Sequence, residues 1–196
     1  MNTQALSDTD EKRARILNAA LSVFSLYGYR RTSMEDIAKG AGMSRAALYQ
    51  HFRNKEDILL HGVGAYFDVA VSALRDALTP GRPLKEALQL ACASGTGDLA
   101  RALLDSPHGE ELLSIKSGEA EVQTREGNAR IAAIWTDWLA TEAAAGRIRL
   151  EGDSIPQMAE AIIAGQHGQK MLATSYADYV ARLKVYADLV ARGLEP

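Results

Sequence analysis

The sequence predicts an all-α protein, in which an N-terminal three-helix unit with a helix-turn-helix precedes a helical bundle, for about nine helices in total. Apolar residues recur at three- and four-residue spacing along most of the 196 residues, which is typical of amphipathic helices. No stretch shows the alternation that is typical of strands. Glycine or proline ends several of the periodic segments, as at Gly28, Gly42 and Pro80. We predict two domains, residues 1–55 and 56–196.

Glycine and capping residues mark the end of the first helix and the start of the second. The first helix of the chain ends at Gly28, after an apolar stripe at Ile16, Ala20, Val23, Phe24 and Tyr27. A capping box then predicts a second helix that begins near Met34. Two frames fit this box, Thr32 with Glu35 and Ser33 with Asp36, and the sequence leaves both open.

Gly42 and Ser44 predict a sharp turn followed by a third helix, because glycine adopts a left-handed backbone easily and serine caps helices. Four-residue spacing directs Leu48 and Phe52 inward. The opposite side carries Ala46, Tyr49, Gln50 and Arg53. This layout is typical of a helix-turn-helix whose second helix contacts DNA in the major groove.

Charge is divided unevenly along the chain, whose formal net charge is -3. Residues 11–55 contain nine Lys or Arg and three Asp or Glu, a net charge of +6, whereas residues 56–196 carry -7. Only the first region therefore has the positive charge that binding to phosphates requires.

The rest of the sequence predicts further helices, and no convincing strand pattern appears in it. A long helix from Lys55 to Leu78 would link the two regions and transmit a signal between them, and it stops at Pro80, Gly81 and Pro83. Helical patterns follow at about 84–104, 107–116, 119–145, 155–172 and 176–193.

Several classes of protein are disfavoured by the composition. Cys92 is the only cysteine, so an internal disulfide or a cysteine-rich metal site is excluded. The histidines lack metal-ligand spacing, and no serine lies in a nucleophile elbow. We therefore expect no cofactor, no metal and no enzymatic activity. No signal peptide or uninterrupted apolar run of about 18–20 residues is visible, which predicts a cytoplasmic protein without a membrane partner.

Residues 11–60 resemble the TetR family of transcriptional regulators. The resemblance rests on a first helix ending Phe24-Ser25-Leu26-Tyr27-Gly28-Tyr29, on Thr32-Ser33-Met34-Glu35-Asp36-Ile37-Ala38, and on the run from Gly42 to Glu56. It implies a homodimer whose N-terminal units enter successive major grooves, with an effector pocket in the C-terminal domain. Many members carry a small residue at position 46 and an aromatic at position 50, where this chain has Ala46 and Gln50.

The resemblance also implies which side chains contact DNA. Hydroxyl, imidazole and ammonium groups suit phosphate, whereas arginine, glutamine and alanine methyl groups suit base edges. The expected phosphate contacts are Thr32, Ser33, Ser44, Tyr49, His51 and Lys55, and the expected base contacts are Arg45, Ala46, Ala47 and Gln50. For Arg45 and Gln50 the alternative is a solvated surface, and for His51 it is helix packing.

Two further sets of residues are candidates in the C-terminal region. The candidates for an effector pocket are Tyr66, Phe67, Cys92, Trp135, Trp138, His167 and Met171, and the alternative is an ordinary core. The candidates for a dimer interface are Ala161, Ala164, Gly165, Gly168, Tyr179, Leu183, Tyr186 and Val190, and the alternative is close packing within one subunit.

Together these patterns predict a sequence-specific, ligand-responsive repressor that binds a palindromic DNA operator as a homodimer. The effector's identity stays open. The alternative is a helical ligand-binding or adaptor dimer that has lost specific DNA binding.

Overall fold

The computed structural model describes residues 3–113, 118–150 and 154–196. These residues form ten helices and no strand, which confirms the all-α fold class. The helices are α1 (Thr3–Tyr27), α2 (Met34–Gly40), α3 (Arg45–Tyr49), α4 (Lys55–Ala77), α5 (Leu84–Ala93), α6 (Asp98–Leu104), α7 (Gly109–Leu113), α8 (Glu119–Ala144), α9 (Ile155–Leu172) and α10 (Tyr176–Leu194).

The number of helices exceeds the predicted nine because the segment 84–104 divides into α5 and α6. The break follows Ala93, where Ser94 and Thr96 donate their hydroxyl protons to the carbonyls of Ala91 and Ala93, each at 2.7 Å. Such local bonds compete with helix continuation. Of the helix predicted at 107–116, residues 109–113 form α7 and residues 114–116 lie outside the described residues.

The chain forms two compact units whose boundary differs from the one predicted at residue 55. Unit 1 comprises the chain up to Tyr66 together with the segment from Asp105 to Thr124, and unit 2 comprises residues 67–104 and 125–196. Both α4 and α8 therefore contribute to each unit. Unit 1 includes a segment that the sequence places in the second domain.

The core of unit 1 brings α1, α2, α3 and the start of α4 together. Ile16, Ile37, Leu48, Phe52 and Ile58 are almost fully buried in it. The turns between these helices use positive φ angles of 83° at Gly28 and 65° at Gly42, which confirms the turns predicted from these two glycines.

Unit 2 has its own core, formed by the second half of α4 and by α5, α8, α9 and α10. Leu74, Leu88, Trp135, Leu139 and Leu183 are among its most buried members. An ion pair joins the buried carboxylate of Glu142 to Arg147, whose side chain is 44% exposed, and Glu142 accepts from Nε and Nη2 of Arg147 at 2.6 and 2.9 Å. The Gly81 amide also donates to Glu142, at 3.3 Å.

Among the described residues, α4 is the one helix whose length and mean hydropathy of 1.3 would allow it to cross a bilayer. Some of its apolar positions are used within the fold, since Ile58 lies in the core of unit 1 and Leu74 and Ala77 lie in that of unit 2, whereas Val69 is 69% exposed. The polar residues Lys55, Glu56 and Asp57 occupy its first turn. One third of the residues in its most apolar stretch are buried inside the fold.

Candidate nucleic-acid interface

The second helix begins at a capping box that the structure assigns to Ser33 and Asp36. Ser33 donates both its backbone N–H and its hydroxyl to Oδ2 of Asp36, at 2.8 and 2.6 Å, and its Oγ accepts from the Asp36 amide at 3.2 Å. The hydroxyl and amide of Ser33 thereby lower the pKa of Asp36. Of the two open frames, the one starting at Ser33 is therefore the one that forms.

Thr32 has a different local role. Its side chain is buried and its hydroxyl donates to the carbonyl of Gly28 at 2.8 Å. The Thr32 amide bonds to the same carbonyl at 3.2 Å. The hydroxyl protons of Thr32 and Ser33 are thus both engaged within the protein.

The third helix exposes the side that the sequence predicted to be free. Ser44 caps it by accepting from the Ala47 amide at 3.1 Å, which leaves the hydroxyl proton of Ser44 available to an outside acceptor. Leu48 is buried inward, as predicted. The exposed residues of this side are Arg45, Ala46, Tyr49 and Gln50, whereas Ala47 is half-buried.

Arg45 and Tyr49 are paired along the exposed side of α3. Nη2 of Arg45 donates to the Tyr49 hydroxyl at 3.4 Å, and the guanidinium carbon lies 5.5 Å from the ring centroid. The hydrogen bond raises the pKa of Arg45. Because the Tyr49 hydroxyl acts as an acceptor here, it keeps its own proton for a further partner.

The helix α3 ends at Tyr49, so Arg53 lies beyond it, in the turn that leads to α4. Asp57, buried in the first turn of α4, accepts from the Arg53 amide at 2.9 Å. This bond is the main reason that the pKa of Asp57 is lowered. Asn54 caps α4 by accepting from the Asp57 amide at 2.8 Å, and His51 is half-buried nearby in sequence. The turn that follows α3 is therefore held by local hydrogen bonds.

Lys55 is directed at the loop between α1 and α2. Its Nζ donates to the carbonyls of Tyr29, Arg30 and Thr32 at 2.8, 3.1 and 3.0 Å. It also lies 4.7 Å from the centroid of the Tyr29 ring. An ammonium group has three N–H donors, and these three carbonyls account for all of them. That Lys55 contacts phosphate stays a prediction, which these bonds do not favour.

Sequence reasoning missed a second set of contacts, which hold the same loop, the last turns of α1 and the core of unit 1. Glu111 of α7 accepts from the Arg30 amide at 2.9 Å, and Ser106 donates its hydroxyl to the carbonyl of Ser25 at 2.6 Å. Leu112 packs against the core of unit 1. Glu111 and Arg30 are 81 positions apart in the sequence, and no local sequence pattern predicts a contact over that separation.

The candidate pocket residues are divided between the units. Tyr66 is half-buried in unit 1, and Phe67, Cys92, Trp135 and Trp138 are buried in unit 2. His167 is exposed, and Met171 is 80% exposed.

Hydrogen bonding distinguishes the buried candidates. Gln166 donates to the Cys92 sulfur at 3.3 Å, and burial raises the pKa of that thiol to about 11. The indole N–H groups of Trp135 and Trp138 are buried and have no hydrogen-bond partner within the described part of the chain.

The candidate dimer residues also fall into two groups. Tyr179 and Leu183 are buried in the core of unit 2, and Tyr186 and Val190 pack against that core. A Cβ atom at Gly165 would lie 2.2 Å from the hydroxyl of Tyr186 in the same chain, whereas one at Gly168 would meet nothing within 4 Å. Ala161 and Ala164 are exposed.

The geometry of unit 1 defines a class of protein, the helix-turn-helix regulators of transcription, since a capped, glycine-linked helix pair presents an arginine and a glutamine outward. Residues 16–61 match the family described as bacterial regulatory proteins, tetR family. The helix-turn-helix region of this chain is therefore that of the TetR family.

A curated relative matches part of the chain. The HTH-type transcriptional activator FasR of Mycolicibacterium smegmatis is 42% identical over 69 residues, which are 35% of this chain and 32% of FasR. The chain therefore matches about a third of the length of this curated relative.

Solved structures match almost the whole chain. The TetR-family regulator PfmR of Thermus thermophilus superposes with a TM-score of 0.69 and 28% identity over 94% of this chain and 97% of PfmR. FadR of Bacillus subtilis, solved in complex with stearoyl-CoA, has a TM-score of 0.69 at 23% identity over 92% of this chain and 98% of FadR. The likeness to FadR shows the fold alone.

Proposed function

We propose that this protein is a ligand-responsive transcriptional repressor that binds a palindromic operator as a homodimer in the cytoplasm. The observation that carries the proposal is the exposed polar side of α3, which follows a capped α2 and a glycine turn. This side lies in the only strongly basic region of the sequence, residues 11–55. A helix so presented fits the major groove, where each base pair displays a distinct pattern of donors and acceptors.

The proposed DNA contacts are of two kinds: contacts to phosphates position the protein on the duplex, and contacts to base edges recognise the sequence. Ser44 and Tyr49 retain hydroxyl protons for phosphate oxygens, and His51 adds a ring nitrogen beside them in sequence. Arg45, Ala46, Ala47 and Gln50 are left to contact base edges. Arginine pairs with guanine, glutamine with adenine, and alanine methyl groups meet the thymine methyl.

The dimer interface that we propose is the exposed side of α9 and α10. Ala161, Ala164, Gly168 and Met171 fall on one stripe of α9 at helical spacing. On α10, Val185 and Leu189 are 71% and 65% exposed. A second copy of the chain would remove this apolar surface from water, and a two-fold dimer suits a palindromic site.

The effector that we propose is a small molecule with an apolar body and a hydrogen-bond acceptor, bound within unit 2. The support is the pair of buried, unpartnered indole N–H groups of Trp135 and Trp138. A buried donor without an acceptor costs about 1–3 kcal/mol, which a ligand carbonyl or carboxylate would recover. Stearoyl-CoA, the ligand of FadR, is the first compound to test.

The proposed mechanism is a population shift. An effector that binds one dimer geometry more tightly than the other moves the equilibrium towards it, and α4 transmits the change to the recognition helices. Operator affinity then falls because the two helices no longer match the spacing of the half-sites.

The test is selection of bound duplexes from a random pool by the full chain at moderate salt. An enriched palindrome is expected. Arg45→Ala should then cost about 1–3 kcal/mol at one base position and relax the preference there. Lys39→Ala serves as the control, because it also removes one positive charge, at an exposed position of α2 that is not among the proposed contacts.

Absence of any enriched palindrome would favour the alternative, a helical ligand-binding or adaptor dimer. If Arg45→Ala and Lys39→Ala gave the same selected sequence and affinity, the assignment of Arg45 to base reading would be wrong. Operator release by saturating effector tests the response separately from DNA recognition.

A further inference from the structure

The loop between α1 and α2 is held by side chains from two other elements. Between Gly28 and Ser33 the chain makes a turn and then enters the cap of α2. Three of its carbonyls accept from Lys55, at the start of α4, and the Arg30 amide donates to Glu111, on α7. The loop therefore has its carbonyl side fixed by one element and an N–H group fixed by another.

Lys55 cannot keep this geometry and also bind DNA phosphate directly. Its three donors are used at 2.8, 3.0 and 3.1 Å, and an ammonium has no more. Moving Nζ to a phosphate would leave these three carbonyls without their partner, and two of the three contacts are partly buried, where an unpaired carbonyl is costly. Its contribution to DNA binding is therefore expected to come through the loop.

Glu111 contributes from outside the helix-turn-helix. Its Oε1 accepts from the Arg30 amide at 2.9 Å and lies 3.9 Å from Nε of the same residue. The Ser106 hydroxyl and Leu112 attach the same segment to α1 and to the core of unit 1. A carboxylate in a DNA-binding unit repels phosphate, so a purely electrostatic role for Glu111 would oppose binding.

We infer that Lys55 and Glu111 are positioning residues for DNA binding, which fix the α1–α2 loop and hence the start of α2, and that neither contacts phosphate. This inference rests on the proposed DNA-binding function. It gives the segment 105–113 a role in recognition although it lies 50 or more positions beyond the end of α3. The loop sets where α2 begins because the Thr32 carbonyl, held by Lys55, immediately precedes the Ser33 cap.

The experiment for Lys55 measures operator affinity of the full-length protein at several salt concentrations. Lys55→Met removes the three donors and keeps the apolar stem, and Lys39→Met is the control for the loss of one positive charge at an exposed position of α2. We expect Lys55→Met to bind about tenfold more weakly than Lys39→Met, with the same dependence of affinity on salt.

Two results would overturn the role of Lys55. A salt slope lower than that of Lys39→Met by about 0.9 would show that Lys55 neutralises a phosphate. An affinity equal to that of Lys39→Met would show that the loop contacts do not matter for binding.

The experiment for Glu111 distinguishes its contact with the loop from its negative charge. Loss of the contact should weaken DNA binding, whereas loss of the charge alone should strengthen it. Glu111→Ala removes the acceptor and a negative charge, whereas Glu111→Gln removes the charge and keeps an oxygen for the Arg30 amide. We expect Glu111→Ala to weaken operator binding by about threefold or more, and Glu111→Gln to retain it. Tighter binding by both variants would show that only the charge acts and would overturn the inference.

Amide hydrogen exchange provides a readout that does not depend on DNA. The Arg30 amide should exchange faster in Glu111→Ala than in the wild type or Glu111→Gln, because its acceptor is lost. Unchanged exchange would refute the loop contact itself. If the wild-type protein selected no duplex, the proposed function would fail, while this measurement would still decide whether Glu111 fixes the loop. The Glu111 pair also keeps the inference testable if Lys55→Met does not fold.

Discussion

Two glycines of α9, Gly165 and Gly168, provide a matched test of how this helix is used. Both are expected from sequence to permit close approach of a second copy. In the structure a Cβ at Gly165 would lie 2.2 Å from the Tyr186 hydroxyl and 2.4 Å from Cζ of that ring, whereas a Cβ at Gly168 would lie in open space. The same substitution should therefore have opposite effects at the two positions.

The magnitudes follow from the contacts of Tyr186. Replacing glycine by alanine inside a helix gains about 0.5–1 kcal/mol, and Gly168→Ala should show this gain in the stability of the subunit. In Gly165→Ala the added methyl must displace Tyr186, whose hydroxyl donates to the Ile162 carbonyl at 2.9 Å. Overpacking costs about 1–3 kcal/mol and the lost hydrogen bond about 0.5–1.5 kcal/mol. The net expectation is a loss of about 1–3 kcal/mol.

Urea denaturation of the two variants and the wild type, each over a range of chain concentrations, separates subunit stability from association. Gly165→Ala should lower the midpoint at every concentration, because the clash lies within one chain. Gly168→Ala should raise the midpoint at low chain concentration, where the stability of the subunit sets it, and should lose this gain at high concentration if the added methyl weakens the dimer. Equal stabilisation of the subunit by both substitutions would refute the assignment of Gly165 to internal packing.

Two further predictions concern the ion pair in unit 2 and the cap of α3. Glu142→Gln should reduce the free energy of unfolding by about 1–2 kcal/mol at pH 7, since bonds to charged groups contribute somewhat more than neutral ones. The hydrogen bonds from Arg147 lower the pKa of Glu142 in the folded state. The stabilisation by the Glu142 carboxylate is therefore complete above its pKa in the unfolded chain, about 4.3, and is lost at lower pH. Urea titrations from pH 7 to pH 3 should show the stabilities of the wild type and Glu142→Gln converging as the pH falls. Ser44→Ala should cost about 1 kcal/mol by removing the cap of α3, with Ser72→Ala, at an exposed position of α4, as a control that should change little; equal urea midpoints for both would contradict the cap.

The sequence predicts most of the helices because their signals are local. The apolar stripe at Ile16, the glycine turn at Gly42 and the cap at Ser44 each depend on residues within one or two helical turns. The choice between Thr32 and Ser33 as the cap is different. Both frames satisfy the local rule, and burial of Thr32 against the Gly28 carbonyl decides between them.

Long-range packing could not be predicted in the same way. The small residues of α9 look alike in sequence, but Tyr186 fills the space at Gly165 and leaves Gly168 open. Lys55 looks like a free basic residue next to a recognition helix until its distance to three carbonyls is known. In each case the partner lies about 20 or more positions away, where no periodic pattern relates the two.

Unit 1 is formed by two separate segments of the chain, and this bears on how an effector could alter DNA binding. The sequence suggests α4 as the single connection, but α8 also runs without interruption from residues of unit 1 into unit 2. The segment that precedes α8 carries Glu111, which bonds to the loop before α2. We therefore expect two residues, Lys55 and Glu111, at which a signal can reach the loop. Because both residues hold the same loop, a displacement of either one would reach the start of α2.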